Sequence, residues 1–210
     1  MTIEAIEPGL RERKRIATRR NIQVAALDLV VERGLENVTI DEISRLADVS
    51  PRTFFNYFAS KEEALLGDGP ALPDEEAVAA FVTSDEDIFL GVGDLIANAT
   101  AAAAHDHEIA TRRRELMKGN PHLFAIRMAT MRNFEEQLTA IVARRVQRRR
   151  PDLDDAIVLR NSQIITLMAG AAMKHAWSSW GDTHDAADLS TRMRESFAEV
   201  RSVLALTTPR

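Results

Sequence analysis

Apolar side chains fall at Ile22, Ala25, Ala26, Leu29 and Val30, the three-and-four spacing of a single helix face. Arg33 and then Gly34 supply the charge and backbone freedom of a helix C-terminus. The pattern predicts a first helix from residue 11 or 14 to residue 33. Thr39 with Glu42 three residues later has capping-box spacing, and Ile40, Ile43 and Ala47 turn inward behind it, so a short second helix follows. Asp48 and Val49 form a turn. Ser50 then serves as an N-cap and Pro51 suits the first helical turn, where its missing N–H costs nothing. Two short helices joined by about three residues make a helix-turn-helix, over residues 39–58. A fourth short helix opens at the cap Ser60 and stops at Gly67.

Residues 67–84 hold two Gly and two Pro and read as a connecting segment, with room for another short helix over residues 74–82. From Ser84 onward the pattern is helical throughout. Ser84 with Asp87 is a second capping-box candidate, opening a helix over residues 85–105. Shorter helical periodicity covers residues 108–118. A long helix over residues 121–149 carries Phe124, Met128, Met131, Phe134, Leu138 and Val142 at three- or four-residue spacing and ends at Pro151. Residues 152–180 form the next helix, whose AGAA at 169–172 lets a neighbour approach closely. A last helix places Leu189, Met193, Phe197, Val200 and Leu204 on one stripe. The fold class is all-α, with about nine helices.

One short segment offers distinctive chemistry. At 100° per residue, Arg52, Asn56, Thr53 and Tyr57 occupy one contiguous face of the third helix, and Phe54 and Phe58 occupy the other. The aromatic side anchors in a core. Arg suits guanine edges, Asn suits adenine, Thr suits a thymine methyl or a phosphate, and Tyr suits a phosphate, which together fit a helix lying in the major groove of DNA.

The formal charge of −5 argues against a nucleic-acid partner until its distribution is considered. Residues 11–20 carry Arg11, Arg13, Lys14, Arg15, Arg19 and Arg20 against Glu12 alone, whereas residues 1–66 as a whole balance 10 Lys/Arg against 11 Asp/Glu. The basic field is a local arm. A chain 45% hydrophobic and 28% charged is expected to be globular. Its N-terminal residues lack the apolar core of a secretory signal, there is no Cys, and the best apolar run near residues 88–104 is interrupted by Asp94 and Asn98. A cytoplasmic protein without membrane association is therefore expected.

The basic lead-in, the Ala-rich helix ending at Gly34, Val38 and Thr39 before DEISRLADVS, and the closing SPRTFFNYFASKEEALL together resemble the DNA-binding domain of the tetracycline-repressor (TetR) family of bacterial transcription regulators. The resemblance covers residues 11–66. It implies DNA backbone or base contacts for Thr53, Tyr57 and Lys61, the most sequence-dependent positions for Arg52 and Asn56, and a phosphate for Thr39. Asp48 departs from the Gly common in the family, although Asp tolerates a left-handed backbone better than most residues. Asp41 is a second departure, removing a cation from the second helix.

Taken together, the expected DNA-binding residues are Thr39, Ser50, Pro51, Arg52, Thr53, Asn56, Tyr57 and Lys61, with Arg13, Lys14 and Arg15 from the arm. Residues 67–84 would connect this head to a helical ligand-binding and dimerisation domain over residues 85–206. The resemblance implies a homodimer through the last two helices and an unidentified small apolar or amphipathic effector, in a pocket to which Phe124, Met128, Met131, Asn161, Met168 and His175 are assigned. The function that follows is a ligand-responsive regulator, a repressor, released from a near-palindromic operator by its effector. No cofactor is expected. His105 and His107 point apart on a helix, and the remaining His residues show no ligand spacing. No nucleophile turn, phosphate loop or zinc motif is present, so neither a metal nor a catalytic site is expected. The alternative is a helical ligand carrier or enzyme whose helix-turn-helix serves only for packing.

Overall fold

The computed structural model describes residues 9–70, 72–101, 106–182 and 188–206. Among the described residues there are ten α-helices, one 3-10 turn and no strand. The helices are α1 (Leu10–Arg33), α2 (Ile40–Leu46), α3 (Pro51–Phe55), α4 (Lys61–Leu66), α5 (Glu75–Thr83), α6 (Ile88–Ala101), α7 (His107–Gly119), α8 (Pro121–Arg149), α9 (Asp155–Asp182) and α10 (Leu189–Leu206). The tenth helix beyond the expected nine is α5, where the Asp74 carboxylate accepts a hydrogen bond from the Ala77 N–H at 2.8 Å and caps the chain after Pro73.

By contacts the chain divides into two units, the first made of residues up to Asp68 together with Glu108–Phe124. In it α1 packs against α2 and α4, and α2 against α3. Ile22, Ala26 and Leu27 of α1 are fully buried, as are Ile43, Phe54 and Leu65 on the other helices. The apolar face read from the sequence is therefore the face that folds. Helix α7 belongs to this unit, with Ile109 and Leu116 buried and polar contacts beside them. Arg112 pairs with Asp28 of α1, and Arg113 Nε donates to the Leu65 carbonyl at 2.6 Å, closing the C-terminus of α4. Gly67, at φ +63°, lies against the Arg113 guanidinium, where a Cβ would collide with it.

The second unit contains residues 69–107 and 125–210. Its core runs through Phe89, Val92 and Ile96 of α6, Phe134, Leu138 and Val142 of α8, Ala169, Ala172 and Ala176 of α9, and Met193 and Phe197 of α10. Helix α6 crosses α10 so closely that Gly93 lies against the Phe197 ring. The cap of α6 is Asp87 rather than Ser84: its carboxylate accepts from the Phe89 and Leu90 N–H groups, at 2.9 and 3.1 Å, while Ser84 is still ending α5. Similarly, α9 starts at Asp155, because Asp154 accepts from the Ala156 N–H at 2.8 Å and caps it. The end of the predicted 85–105 helix, with His105, lies outside the described residues, as does His184.

Helix α9 also corrects the expectation that no apolar run reaches membrane-spanning length. Its stretch Asp155–Trp180 does so by length and composition, with a mean hydropathy of 1.3 over its most apolar 18-residue window. The physical reason is apolarity on both sides. Ala169, Ala172 and Ala176 line the core, while Ile164 and Leu167 on the other side are 51% and 64% exposed.

Candidate nucleic-acid interface

The helix-turn-helix depends on two capped helices and one turn. Thr39 accepts from the Glu42 N–H at 3.3 Å, and the Glu42 carboxylate accepts from the Thr39 N–H at 3.0 Å, the reciprocal capping box read from the sequence. The Thr39 hydroxyl also donates to Glu42 at 2.8 Å, so a phosphate at Thr39 must compete with that bond. Glu42 is held below the ordinary carboxylate pKa, first by the Thr39 N–H, then by its hydroxyl, with Arg33 adding to the effect. Between the helices Asp48 takes φ +55°, the left-handed conformation that the turn was expected to require of it.

Ser50 Oγ accepts from the Thr53 N–H at 3.0 Å and lies 2.8 Å from Thr53 Oγ1, and Pro51 fills the first turn. Helix α3 is shorter than the residue 51–58 element assumed from the wheel, ending at Phe55. The chain nevertheless continues helically enough to keep the face: Asn56 N–H donates to the Arg52 carbonyl at 3.2 Å, and Phe58 N–H to the Phe54 carbonyl at 3.0 Å. Phe54 and Phe58 are buried with ring centroids 5.9 Å apart. Opposite them, Arg52 and Asn56 are exposed without side-chain partners among the described residues, and Thr53 and Tyr57 are half-buried beside them.

Two expected cationic contacts, Lys61 and Arg15, and a third cation of the arm, Arg19, have partners within the protein. Lys61 turns inward, its ammonium donating to the Leu35 carbonyl at 2.8 Å and the Val38 carbonyl at 3.0 Å. Arg19 lies over the Phe58 ring at 4.3 Å and donates to the Tyr57 carbonyl at 3.1 Å and to Asp68 at 2.6 Å, tying α1 to the ends of α3 and α4. Arg15 forms a two-pronged bond with Glu12, at 2.9 and 2.8 Å, which lowers the Glu12 pKa. Arg11, Arg13 and Lys14 stay exposed, with no partner among the described residues.

The structure exposes a residue that the sequence reading left out. Phe55 is 55% exposed, its ring standing edge-on against buried Phe54 at 5.6 Å and 85°. The helical wheel contained the signal, since 100° per residue puts Phe55 about 60° from Arg52, on the side away from Asn56.

The six residues assigned to an effector pocket have different surroundings. Met131 and Met168 pack against the core of the second unit. Phe124 and Met128 are 53% and 42% exposed, Asn161 is exposed, and His175 is an exposed residue whose Nδ1 lies 3.0 Å from Ser196 Oγ and 3.5 Å from Glu199. A groove of about 690 Å³ lies elsewhere in that unit, lined by Val82, Ala143, Arg144, Arg148, Val158 and Leu159 among others. None of the six borders it. Among the described residues, no group of three or more His, Asp and Glu is placed to hold a metal ion.

Residues 22–66 match the sequence profile of the bacterial regulatory proteins of the tetR family, and residues 93–205, more than half of the chain, match that of the MftR C-terminal domain. The HTH-type transcriptional regulator TcmR of Streptomyces glaucescens is 28% identical over 204 residues, which span 94% of this chain and 88% of that protein. The mycofactocin biosynthesis regulator MftR of Mycobacterium tuberculosis is 38% identical over 56 residues, 27% of this chain and 28% of that one. Among solved structures, a TetR-family transcriptional regulator from Syntrophomonas wolfei superposes with a TM-score of 0.51 at 18% identity, covering 91% of this chain and 96% of the other, and so shares the fold. With an exposed helix-turn-helix face at one end of the sequence and this helical domain after it, the chain belongs to the tetR family of bacterial transcription regulators.

Proposed function

We propose that the protein is a repressor that binds a near-palindromic operator as a homodimer and leaves it when a small apolar or amphipathic effector enters the helical domain. The observation that carries this reading is the exposed Arg52 and Asn56 pair on a doubly capped helix-turn-helix. Arg52, Thr53 and Asn56 read base edges, and Tyr57 and the free cations Arg11, Arg13 and Lys14 hold phosphates. One helix of this length reads too few bases to select a site in a genome. Two heads about 34–36 Å apart read a palindrome on one DNA face.

Dimerisation through α9 and α10 is supported by their outer sides, where Ile164 and Leu167 of α9 and Val203 and Leu206 of α10 are exposed. Two α9–α10 pairs facing each other would bury these residues in a four-helix interface. For the effector, the 690 Å³ groove has the mixed apolar and cationic lining suited to an amphipathic molecule. Effector binding that altered the separation of the two heads would prevent both from docking.

Selection of bound fragments from the source genome at defined salt tests the reading. Recovery of a near-palindrome bound by a dimer is the expected result, and failure to enrich any sequence would sink it. On that operator, Arg52→Ala should cost ~1–3 kcal/mol, concentrated at one base pair of each half-site. Unchanged affinity and base preference would remove Arg52 from the readout.

A further inference from the structure

Phe55 is an exposed aromatic ring at the edge of the polar face that carries Arg52 and Asn56. Its exposure of 55% contrasts with the burial of Phe54 and Phe58, its neighbours on the same short segment. The ring stands edge-on against buried Phe54, at 5.6 Å and 85° between planes. Packing of the head does not account for the exposed half. Phe55 follows Arg52 by three residues, so the two side chains are neighbours on the helix surface.

The edges of the four base pairs in the major groove offer hydrogen-bond donors and acceptors and a single apolar group, the C5 methyl of thymine. An exposed aromatic edge has one complementary feature there. Three residues of helix rise ~4.5 Å and base pairs stack at ~3.4 Å, so Phe55 reaches a base pair next to the one that Arg52 reads. Thr53, the other candidate for a methyl contact, is half-buried, and its hydroxyl lies 2.8 Å from Ser50 Oγ.

Resting on the operator-binding reading above, we propose that Phe55 is a specificity-determining residue that reads a thymine methyl group beside the Arg52 contact. It thus makes a C5-methyl pyrimidine part of each half-site. The same methyl chemistry is offered by 5-methylcytosine, and thymine is the assignment made here because it is a standard base of every operator.

The test uses the full-length protein and its selected operator, with each thymine replaced in turn by deoxyuridine, which removes only the methyl. Wild type should lose about fourfold in affinity at one thymine per half-site, the effect of one buried methyl. Phe55→Ala should bind the thymine and uracil forms of that position equally, with unchanged helical circular dichroism, while Thr53→Ser should still discriminate between them. Wild type that ignores every thymine methyl overturns the proposal without reference to any variant. Discrimination that survives Phe55→Ala but disappears in Thr53→Ser overturns it in favour of Thr53. An affinity gain confined to a 5-methylcytosine substitution, with no response to uracil, overturns the thymine assignment. Absence of selective binding to any DNA would instead remove the operator reading itself, an outcome distinct from selective binding that is blind to methyls.

Discussion

Residues 11–20 and residues 144–150 are similarly rich in arginine, and the structure gives them different tasks. In the first stretch Arg11, Arg13 and Lys14 are exposed on the opening turns of α1, with no partner among the described residues. In the second, Arg145 is completely buried, donates to the Glu86 carbonyl at 2.8 Å and lies over the Phe81 ring at 4.5 Å. Arg148 donates to the Thr83 carbonyl at 2.7 Å, and Arg149 to that of Asp85. Burial, and then the neighbouring Arg149, push the Arg145 pKa down, and the carboxylates of residues 85–87 partly oppose the shift. A run of cations is therefore not in itself a nucleic-acid site. At the start of a helix, against that helix's own dipole, such charges are poorly placed for stability and available for phosphates. At the end of a long helix beside the α5–α6 loop, they satisfy carbonyls.

The largest effect should come from neutralising the two stretches separately. Arg11→Gln, Arg13→Gln and Lys14→Gln together remove six cations from the two heads of a dimer, which should reduce the slope of log affinity against log salt by about 5.4 and operator affinity at low salt by at least roughly a hundredfold. Arg148→Gln with Arg149→Gln should leave that slope unchanged and lower Tm instead. If the second pair flattened the salt slope as much as the arm, the comparison would collapse.

Lys61 sharpens the contrast within the head. Family resemblance makes it a phosphate contact, yet its ammonium already donates to the Leu35 and Val38 carbonyls, just before the Thr39 cap. Lys61→Met should therefore destabilise the protein by about 1–2 kcal/mol, the scale of charge-assisted bonds left unmade, and should change the salt slope by less than about 0.5. Thermal unfolding and salt titration together separate the two roles. A loss of about 1.8 in the slope, one phosphate contact from each head, without a stability change would restore the phosphate contact.

Such differences mark where the sequence could be read and where it could not. The starts of α2, α3 and α4 and the end of α1 were legible because Thr39, Ser50, Ser60 and Gly34 act locally through hydrogen bonds within a few residues, whereas the early end of α3 at Phe55 was not. The division of α3 into an exposed polar side and a buried aromatic side was legible for the same reason, being a matter of helical phase. Partners distant in the chain were not. Lys61 with Leu35, Arg19 with Asp68 and Arg113 with Leu65 are separated by 26, 49 and 48 residues, and periodicity carries no information about them. Burial along α8 was hidden on similar grounds: Met and Phe at helical spacing predict an apolar side, and which members are covered depends on neighbours the pattern does not name, so that Phe124 is exposed while Phe134 is buried. Phe55 was overlooked because the wheel was divided into one polar and one aromatic side, and it belongs to the boundary.

The smallest effect concerns a charge in the second unit that acts on stability through pH. Partial burial raises the pKa of Asp87, but the Leu90 N–H, the Arg201 guanidinium at 3.0 Å and the Phe89 N–H outweigh it and hold the carboxyl below its ordinary value. A carboxyl depressed on folding contributes stability that is present above its unfolded pKa of ~3.9 and is lost as pH falls through the lower folded value. Asp87→Asn keeps an oxygen to accept from the α6 N–H groups, so the cap survives and only the charge is removed. At neutral pH the cost should stay below about 1 kcal/mol, or ~2–4 °C in Tm, because Arg201 is largely solvated. Wild type and variant should converge as pH is lowered below the Asp range, whereas operator affinity and its salt slope, set by the head, should not distinguish them at neutral pH. A Tm difference that persisted unchanged into acid would show that Asp87 contributes through shape rather than charge.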